Sequence, residues 1–512
     1  MKPRIPSYYA AALVAVLSLV GCTINPVTGK NELSLISPQQ EITLGEKNYQ
    51  PSRQAQGGDY YLDPELQRYV ARVGNRLAAV SDKPELPYSF VVLNNSVPNA
   101  WALPGGKIAI NRGLLNYLED ESQLAAVLAH EIVHAAARHG ASQMSRGRLA
   151  SLGLLAVGVG TQSQEGAKLY GLASELGAAA WMAKYGRDDE LESDYYGMLY
   201  MSRAGYEPKG AVELQRTFVK LSEGKQSSFL TGLFASHPPS ARRVEANLVR
   251  AKTLPSGQRH IQRYQAAIAQ LKKDAPAYKA AQEATAALNK NQGKQAIALL
   301  DKAIALQPQE GSFWELRGHG WKMQDNFSNA DKAFTTAIAK NPDYFSPYLA
   351  RGLLRHELGQ KSQGLADIRR SYEILPTPEA SYYLGDAAMT EQQYAQAAAY
   401  FKQAAAAGGD LTQRAQQGLT SAQLQLQPEL FLSAKLSLSD QGYLLISTFN
   451  SSPADMTNIQ LRLSAAGQAK LFKLEQLLPA GRSITINTGV GPIVSATTNY
   501  RVNVLSATVT QL

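Results

Sequence analysis

Residues 124–140 read Leu-Ala-Ala-Val-Leu-Ala-His-Glu-Ile-Val-His-Ala-Ala-Ala-Arg-His-Gly, and this stretch determines what the rest of the chain must supply. Its alanine and apolar spacing predicts a helix, on which His130 and His134 lie one turn apart on the same face. Two imidazoles at that spacing can bind one zinc ion. His139 follows His134 by five residues, roughly 140° around the same helix, so we do not count it as a ligand.

Glu131 stands directly after the first of these histidines. From there its carboxylate can reach a water molecule at the metal, which is the HExxH arrangement of zinc peptidases. The chain has only 7 histidines, so this arrangement would arise by chance in well under ~1% of such sequences. Buried structural histidines are therefore a poor alternative, and the sequence predicts one Zn²⁺ per chain.

A zinc site of this kind needs a third protein ligand and one open position. The metzincin class would place this ligand at position 140, six residues beyond His134, and it is excluded because that residue is Gly140. Residues 187–194, Arg-Asp-Asp-Glu-Leu-Glu-Ser-Asp, supply carboxylates on a second predicted helix. Glu190 and Asp194 lie one turn apart, so one can bind the metal while the other orients a ligating histidine. We expect Glu192 to point elsewhere.

The start of the chain has the features of a cleaved leader. Residues 1–21 combine a basic beginning with an apolar run over 8–20 that is too short to span a bilayer. The run ends just before Cys22 in a pattern that resembles the bacterial lipobox, which predicts a signal peptide and lipidation of Cys22. An ordinary secretory signal that contains a cysteine is the alternative. Thr23 after the cysteine favours sorting to the outer membrane of a Gram-negative bacterium.

Charge and cysteine content exclude several classes of protein. The single cysteine rules out an intramolecular disulfide and a multi-cysteine zinc site. The formal net charge is +9, but the basic residues form no cluster with interleaved aromatic residues. We therefore expect no nucleic-acid partner.

The chain length of 512 residues suggests about three domains, and composition indicates where they lie. Residues 22–60 suit a polar tether followed by a short helix. Residues 61–252 alternate helical and short extended patterns and hold most of the histidines, and residues 253–274 suit a linker helix. Residues 428–512 show short apolar strands between turn residues, which predicts a small β-sandwich-like domain.

A fixed repeat occupies residues 275–427. Pro308, Pro342 and Pro376 are each 34 residues apart, and this period with its small and aromatic positions is that of tetratricopeptide repeats. An alanine-rich bundle without repeats does not explain a 34-residue interval that occurs twice. Three or four such repeats can bury a continuous helical core, so we expect an α-solenoid.

These motifs together resemble the HtpX/BepA family of gluzincin zinc metallopeptidases. The resemblance covers about residues 25–250 and is carried by 99–106, 130–139, 190–197, 204–206 and 237–239. It implies an α+β chain in which a mainly helical zincin domain with a small sheet comes first. The repeats behind that domain are typical of the BepA-type branch.

The resemblance also implies roles for individual residues. It implies that His130, His134 and Glu190 bind the metal. It also implies that Glu131 is the general base and that Asp194 orients a ligand. His237, which precedes two prolines, is implied to lie near the metal, where it would close the open position or stabilise the oxyanion. A histidine on a surface turn is the alternative. Arg243 is implied to be structural, and residues 107–110 to form an edge strand that binds substrate, although a core strand fits them equally well.

The function implied is that of a lipid-anchored zinc endopeptidase at the outer membrane, facing the periplasm. Its substrates would be unfolded or misassembled polypeptides, and the repeats would engage the machinery that assembles outer-membrane proteins. The alternative from another class is a chaperone or scaffold that acts through its repeats while the peptidase stays latent.

Overall fold

The computed structural model describes residues 22–156, 185–223, 237–406, 408–409, 411–465, 468–493 and 499–510. The predicted signal peptide, residues 1–21, lies outside the described residues. The chain divides into two compact units, Met1–Pro347 and Tyr348–Leu512. Within the described ranges, no helix has both the length and the apolar composition that crossing a membrane requires.

The first unit begins with a hairpin and continues as helices around a small sheet. Its elements before the repeats are β1 (Cys22–Ile24), β2 (Asn31–Leu33), α1 (Pro38–Ala55), α2 (Pro64–Ala78), β3 (Ser89–Leu93), β4 (Ala100–Leu103), β5 (Lys107–Asn111), α3 (Arg112–Leu115), α4 (Glu121–Ala136), α5 (His139–Ala156), α6 (Arg187–Arg203), α7 (Lys209–Glu223), α8 (Ala241–Ala251) and α9 (Ile261–Ala267).

Helix α4, which carries both histidines of the motif, is the centre of this unit. All of its residues are buried, and it packs against α2, α6 and α7. The Asp120 side chain caps its first turn by accepting a hydrogen bond from the backbone N–H of Gln123 at 3.0 Å. A helix buried on every face is held by its neighbours, so the positions of its side chains are fixed by packing.

The three-stranded sheet has the order β3-β5-β4. Strand β5 pairs in parallel with β3 and antiparallel with β4. The expectation that residues 107–110 form an edge strand is therefore wrong, because β5 has hydrogen-bonded neighbours on both sides. The turn after β4 contains Gly105 and Gly106, both at positive φ, and it returns the chain along β4. Among the described residues, the outer strands of this sheet are β3 and β4.

The stretch that the sequence suggests as a tether is folded against the rest of the unit. β1 and β2 pair in an antiparallel hairpin. Arg138, just beyond α4, donates hydrogen bonds to Thr23 Oγ1 at 2.6 Å and to the buried carboxylate of Glu41. Asn25 Nδ2 donates to Glu192 Oε1 at 2.9 Å. Polar side chains thus fix the hairpin beside the end of α4.

The tetratricopeptide helices begin in the first unit. They are α10 (Ala269–Asn289), α11 (Gly293–Leu306), α12 (Gly311–Lys322) and α13 (Phe327–Lys340). Gly318 on α12 faces Phe334 on α13, where an added Cβ would lie 2.5 Å from the phenyl ring. Phe334 is fully buried against this glycine. The lack of a side chain at Gly318 therefore lets the two helices of the repeat approach closely. The structure confirms the repeat fold.

The second unit continues the repeats. Its helices are α14 (Phe345–Glu357), which contains the boundary between the units, α15 (Lys361–Ile374), α16 (Pro378–Thr390), α17 (Tyr394–Ala406) and α18 (Thr412–Leu426). Gly385 and Phe401 reproduce the contact seen in the first unit, with an added Cβ on Gly385 lying 2.9 Å from the ring.

The unit ends in two three-stranded antiparallel sheets, which confirms the expected β-sandwich-like region. Their strands are β6 (Leu432–Leu438), β7 (Leu444–Asn450), β8 (Met456–Ala465), β9 (Gln468–Leu474), β10 (Ser483–Asn487) and β11 (Arg501–Val509). The sheet orders are β10-β7-β6 and β11-β8-β9. Alternate residues of β8, including Ile459, Leu461 and Leu463, are buried in the shared core, as a two-residue period requires.

Candidate metal centre

The two histidines of α4 meet as their spacing predicts. His130 Nε2 and His134 Nε2 are 3.1 Å apart, and both rings are buried. One helical turn brings i and i+4 side chains together, so the convergence is built into the helix. The same two nitrogen atoms face the carboxylate of Glu190.

Glu190 comes from the first turn of α6, which packs directly on α4. Its Oε2 lies 3.5 Å from His130 Nε2, and its Oε1 lies 3.5 Å from His134 Nε2. The two helices approach closely at Gly197, where an added Cβ would lie 3.3 Å from the backbone nitrogen of His130. The glycine thus sets the separation that lets Glu190 reach both imidazoles.

His237 lies at the same point rather than on a surface turn. Its Nδ1 is 2.9 Å from Glu190 Oε1 and 3.4 Å from His130 Nε2. Its Nε2 lies 3.5 Å from Glu131 Oε1. The ring is 5% exposed, so the family-based expectation of a nearby histidine agrees with its position. Helix α8 begins after Ser240 and carries Arg243 into the same region.

Asp194 and Arg243 form the support behind His130. Asp194 Oδ1 lies 3.0 Å from His130 Nδ1. Arg243 donates from Nε to Asp194 Oδ2 and from Nη2 to Asp194 Oδ1, each at 2.7 Å, and its Nη1 lies 2.6 Å from Glu190 Oε2. This two-point contact fixes the carboxylate that orients His130. Arg243 therefore holds two of the predicted site residues in place.

The charges of the site favour a cation. Burial lowers the pKa of His130, but Glu190 and Asp194 outweigh that effect and raise it to about 10. Burial raises the pKa of Glu131 and lowers that of His134. Burial also acts to raise the pKa of Glu190 and of Asp194, but cationic neighbours outweigh it and leave both lowered. Ionised carboxylates in a buried site require positive charge nearby.

The donor set fits a zinc ion. One ligand atom from each of His130, His134, Glu190 and His237 can be chosen so that all four lie within 4.8 Å of one another. Imidazole nitrogen and carboxylate oxygen are ligands that zinc accepts in tetrahedral sites. Glu131 Oε2 is buried with no hydrogen-bond partner among the described residues, which leaves it free for a water molecule or substrate at the site.

Two neighbours of His134 were missed by reasoning from the sequence. Tyr185 stacks on its ring with centroids 3.8 Å apart. His139 Nδ1 lies 2.9 Å from His134 Nδ1. An angle of 140° between His134 and His139 applies only to an unbroken helix, but α4 ends at Ala136 and Arg138 has a φ of 64°. His139 does lie outside the four-residue ligand cluster, and the helix break in this stretch is what brings it behind the ring.

Fold and site together define a metallopeptidase domain: a buried helix presents the HExxH residues to a carboxylate from a second helix. Residues 64–250 match the sequence profile of Peptidase family M48. This segment of the chain is therefore similar to that family of metallopeptidases.

Curated relatives agree with that assignment. A beta-barrel assembly-enhancing protease of Yersinia pestis is 33% identical over 189 residues, which are 36% of this chain and 38% of the relative. The mitochondrial metalloendopeptidase OMA1 of Schizosaccharomyces pombe is 35% identical over 179 residues, 34% of this chain and 50% of the relative. A beta-barrel assembly-enhancing protease of Escherichia coli is 29% identical over 232 residues, 43% of this chain and 46% of the relative. The chain spans half or less of the length of each.

Two solved structures show a local likeness to parts of the chain. The crystal structure of MamA is 20% identical, has a TM-score of 0.24 and covers 32% of this chain and 90% of its own. The TPR domain of Arabidopsis OM64 is 20% identical, has a TM-score of 0.21 and covers 22% of this chain and 93% of its own.

Proposed function

We propose that the protein is a zinc-dependent endopeptidase that cleaves unfolded or misassembled polypeptides in outer-membrane protein quality control. The observation that carries the proposal is the convergence of His130, His134 and Glu190 with Glu131 beside them. The names of the bacterial relatives, beta-barrel assembly-enhancing protease, support the choice of process. We propose further that Cys22 is lipidated and holds the chain on the outer membrane, facing the periplasm.

The chain supplies the groups that peptide hydrolysis needs. A zinc ion at this site would polarise the scissile carbonyl and lower the pKa of a water molecule. Glu131 takes the proton from the attacking water and delivers it to the leaving amine. Its raised pKa, which burial causes, suits it to hold that proton between the two steps. Asp194 and Arg243 keep His130 in position throughout.

We propose that substrate binds along β4 instead of residues 107–110. Within the part of the chain that the structure describes, β4 pairs with a strand on one side only, β5. Its first residue, Ala100, borders the same cavity as His130 and Glu131. An extended polypeptide can pair with an edge strand through its main chain, which accepts many side chains. Such binding would select substrates by their lack of folded structure.

The repeats also suit the binding of a client or of an assembly partner, which gives a second candidate function. In that alternative the protein is a chaperone or scaffold and its peptidase is largely latent. The position of His237 among the candidate ligands favours latency, because its Nδ1 is in contact with Glu190. The two functions differ in whether Glu131 is needed.

The substitution Glu131→Gln tests the peptidase directly. It keeps the size of the side chain but cannot accept the proton, so cleavage of an unfolded protein such as reduced casein should fall by at least about 10³-fold. Zinc content and melting temperature should stay near those of the parent. Glu119→Gln, an exposed carboxylate just ahead of α4, is the control and should cleave normally.

Cleavage by Glu131→Gln at the parent rate would contradict the proposed function. The same variant separates the two functions in cells. Failure to rescue a deletion strain would support proteolysis, whereas full rescue would support the scaffold.

A further inference from the structure

A chain of three hydrogen bonds leads outward from His134. His134 Nδ1 lies 2.9 Å from His139 Nδ1. His139 Nε2 lies 3.2 Å from Glu192 Oε1, and that same oxygen accepts a hydrogen bond from Asn25 Nδ2 at 2.9 Å. His134 and His139 are each 2% exposed, as is Asn25. The expectation that Glu192 points elsewhere is correct for the metal, but its carboxylate ends this chain.

The positions of these atoms determine which nitrogen carries the proton in each hydrogen bond of the series. A metal at His134 Nε2 requires the proton of a neutral ring on Nδ1, which then donates to His139 Nδ1. His139 must accept at Nδ1 and so carries its own proton on Nε2, which donates to Glu192. In this arrangement each N–H donor faces an acceptor, and the series of hydrogen bonds ends on the carboxylate of Glu192. The negative charge of Glu192 polarises His139 and, through it, His134, which makes His134 Nε2 a better electron donor to a metal.

The outer end of this series of hydrogen bonds, at Glu192, is fixed by the N-terminal hairpin of β1 and β2. Asn25 Oδ1 accepts from the backbone N–H groups of Val27 and Thr28 at 2.9 and 3.2 Å, so the turn holds the amide in place. Its Nδ2 reaches two carboxylates, Glu192 and Glu32, the latter at 2.7 Å. The hairpin thus determines where the Glu192 carboxylate stands.

The two histidines of α4 are therefore supported by different parts of the chain. Behind His130, Asp194 is bound by Arg243 of α8. Behind His134, the carboxylate comes from the neighbouring helix α6 but acts through His139 and is bound by the hairpin. His134 depends on residues far apart in sequence, since Asn25 precedes Glu192 by 167 positions.

We propose that His139, Glu192 and Asn25 form a positioning relay for His134, and that the N-terminal hairpin is thereby a structural part of the metal centre. The relay sets the orientation and basicity of His134 without touching the metal. This inference rests on the proposed function only in requiring that the protein bind zinc.

Zinc affinity tests the relay without any assay of peptidase activity. The full chain is titrated with zinc in competition with a chromophoric chelator, and Co²⁺ is used as a spectroscopic substitute. His139→Ala should weaken zinc binding about 10- to 100-fold, as loss of such supporting partners does in other metal sites. His139→Gln should bind more tightly than His139→Ala, because its amide oxygen can accept from His134 Nδ1.

Glu192→Gln and Asn25→Ala extend the test along the relay. We expect zinc binding to weaken about tenfold for Glu192→Gln and less for Asn25→Ala, with a changed Co²⁺ absorption spectrum in both. Adding Glu192→Gln to His139→Ala should weaken zinc binding little further, because His139→Ala already breaks the relay. Glu32→Gln is the matched control, since Glu32 binds Asn25 but does not contact His139, and it should stay within about twofold of the parent.

The outcomes separate this inference from the proposed function. Melting temperatures of the metal-free variants equal to that of the parent would exclude misfolding as the cause of weaker binding, and Glu192→Gln, whose side chain is 19% exposed, is the variant least prone to it. Parent-like zinc affinity and Co²⁺ spectra in His139→Ala and Glu192→Gln would overturn the relay alone. A parent protein that binds no zinc would overturn both.

Discussion

His130, His134 and His237 show how differently the imidazoles of one site can be held. His130 has a carboxylate fixed by an arginine behind it, His134 has a second imidazole behind it, and His237 has its Nδ1 directed at Glu190. The spacing within α4 predicts only the first two positions. The orientation of each ring depends on residues from other elements, which a local pattern does not reveal.

His237 provides a test of latency. Because its ring lies among the candidate ligand atoms, we expect His237→Ala to open the site and raise the rate of cleavage of an unfolded protein severalfold. The measurement is the initial rate of casein cleavage at equal zinc content. A fall in rate would instead indicate a role in stabilising the oxyanion. An unchanged rate would show that His237 neither closes the site nor takes part in the reaction.

Reasoning from the sequence located the site residues on α4 and α6 because a helix has a fixed geometry over short distances. It did not find the contact between His139 and His134, since that contact depends on where α4 ends. It also did not find that Arg243 reaches both Asp194 and Glu190. Contacts of that kind are set by packing between helices, and the sequence alone carries no local signal for them.

At the scale of elements, the contact between α4 and α6 determines the geometry of the metal centre. Gly197 lies on α6 two turns after Glu190, at the point where α6 meets the backbone of His130. The sheet beside these helices illustrates the limits of prediction at this scale. The sequence indicated a strand at residues 107–110, but its place in the sheet depends on pairing with β3, which precedes it by a turn and a strand.

Gly197→Val should damage the site by separating the two helices. The added atoms would overlap the backbone of α4, so we expect a loss of about 1–3 kcal/mol in stability and weaker zinc binding as Glu190 moves away. Thermal unfolding and zinc titration measure the two effects. Gly147→Val on α5 is the control, because an added Cβ there meets no atom of the described residues within 4 Å. Equal melting temperatures and zinc affinities in the two variants would contradict this account of the helix contact.

At the scale of the whole molecule, the sequence predicted the order of regions well. The 34-residue period is a clear sequence signal because each repeat must bury small and aromatic residues at the same positions, of which Gly318 and Phe334 are an example. The sequence did not predict that the first repeats share a compact unit with the metallopeptidase region. In that unit the two regions share one hydrophobic core and are joined by polar contacts, such as the hydrogen bond that Tyr61 OH donates to the backbone oxygen of Gln309 at 2.9 Å.

The first unit should become less stable as pH rises, because of Glu315 on α12. Burial raises the pKa of this carboxyl from 4.5 to about 7, and Ser346 is its hydrogen-bond partner. The folded state therefore binds a proton more tightly than the unfolded state does. The cost of ionising Glu315 is absent below about pH 4.5 and grows through pH 7 to about 3 kcal/mol.

Glu315→Gln removes that cost. We expect a higher melting temperature than the parent at pH 8 and little difference at pH 5, measured by thermal unfolding of the full chain. Glu283→Gln, an exposed position on α10, is the control and should match the parent at both values. A gain that is the same at both pH values would show that ionisation of Glu315 does not cause it.

The hairpin of β1 and β2 also limits how far the metal centre can lie from Cys22. Asn25 is three residues beyond Cys22, and three extended residues span at most about 11 Å. With Cys22 lipidated, as proposed, the metal centre is held close to the bilayer surface. The protein would then search for substrate in two dimensions, along the membrane surface. Polypeptides that emerge from that surface or fail to enter it would meet the metal centre at a far higher local concentration than polypeptides in the surrounding solution.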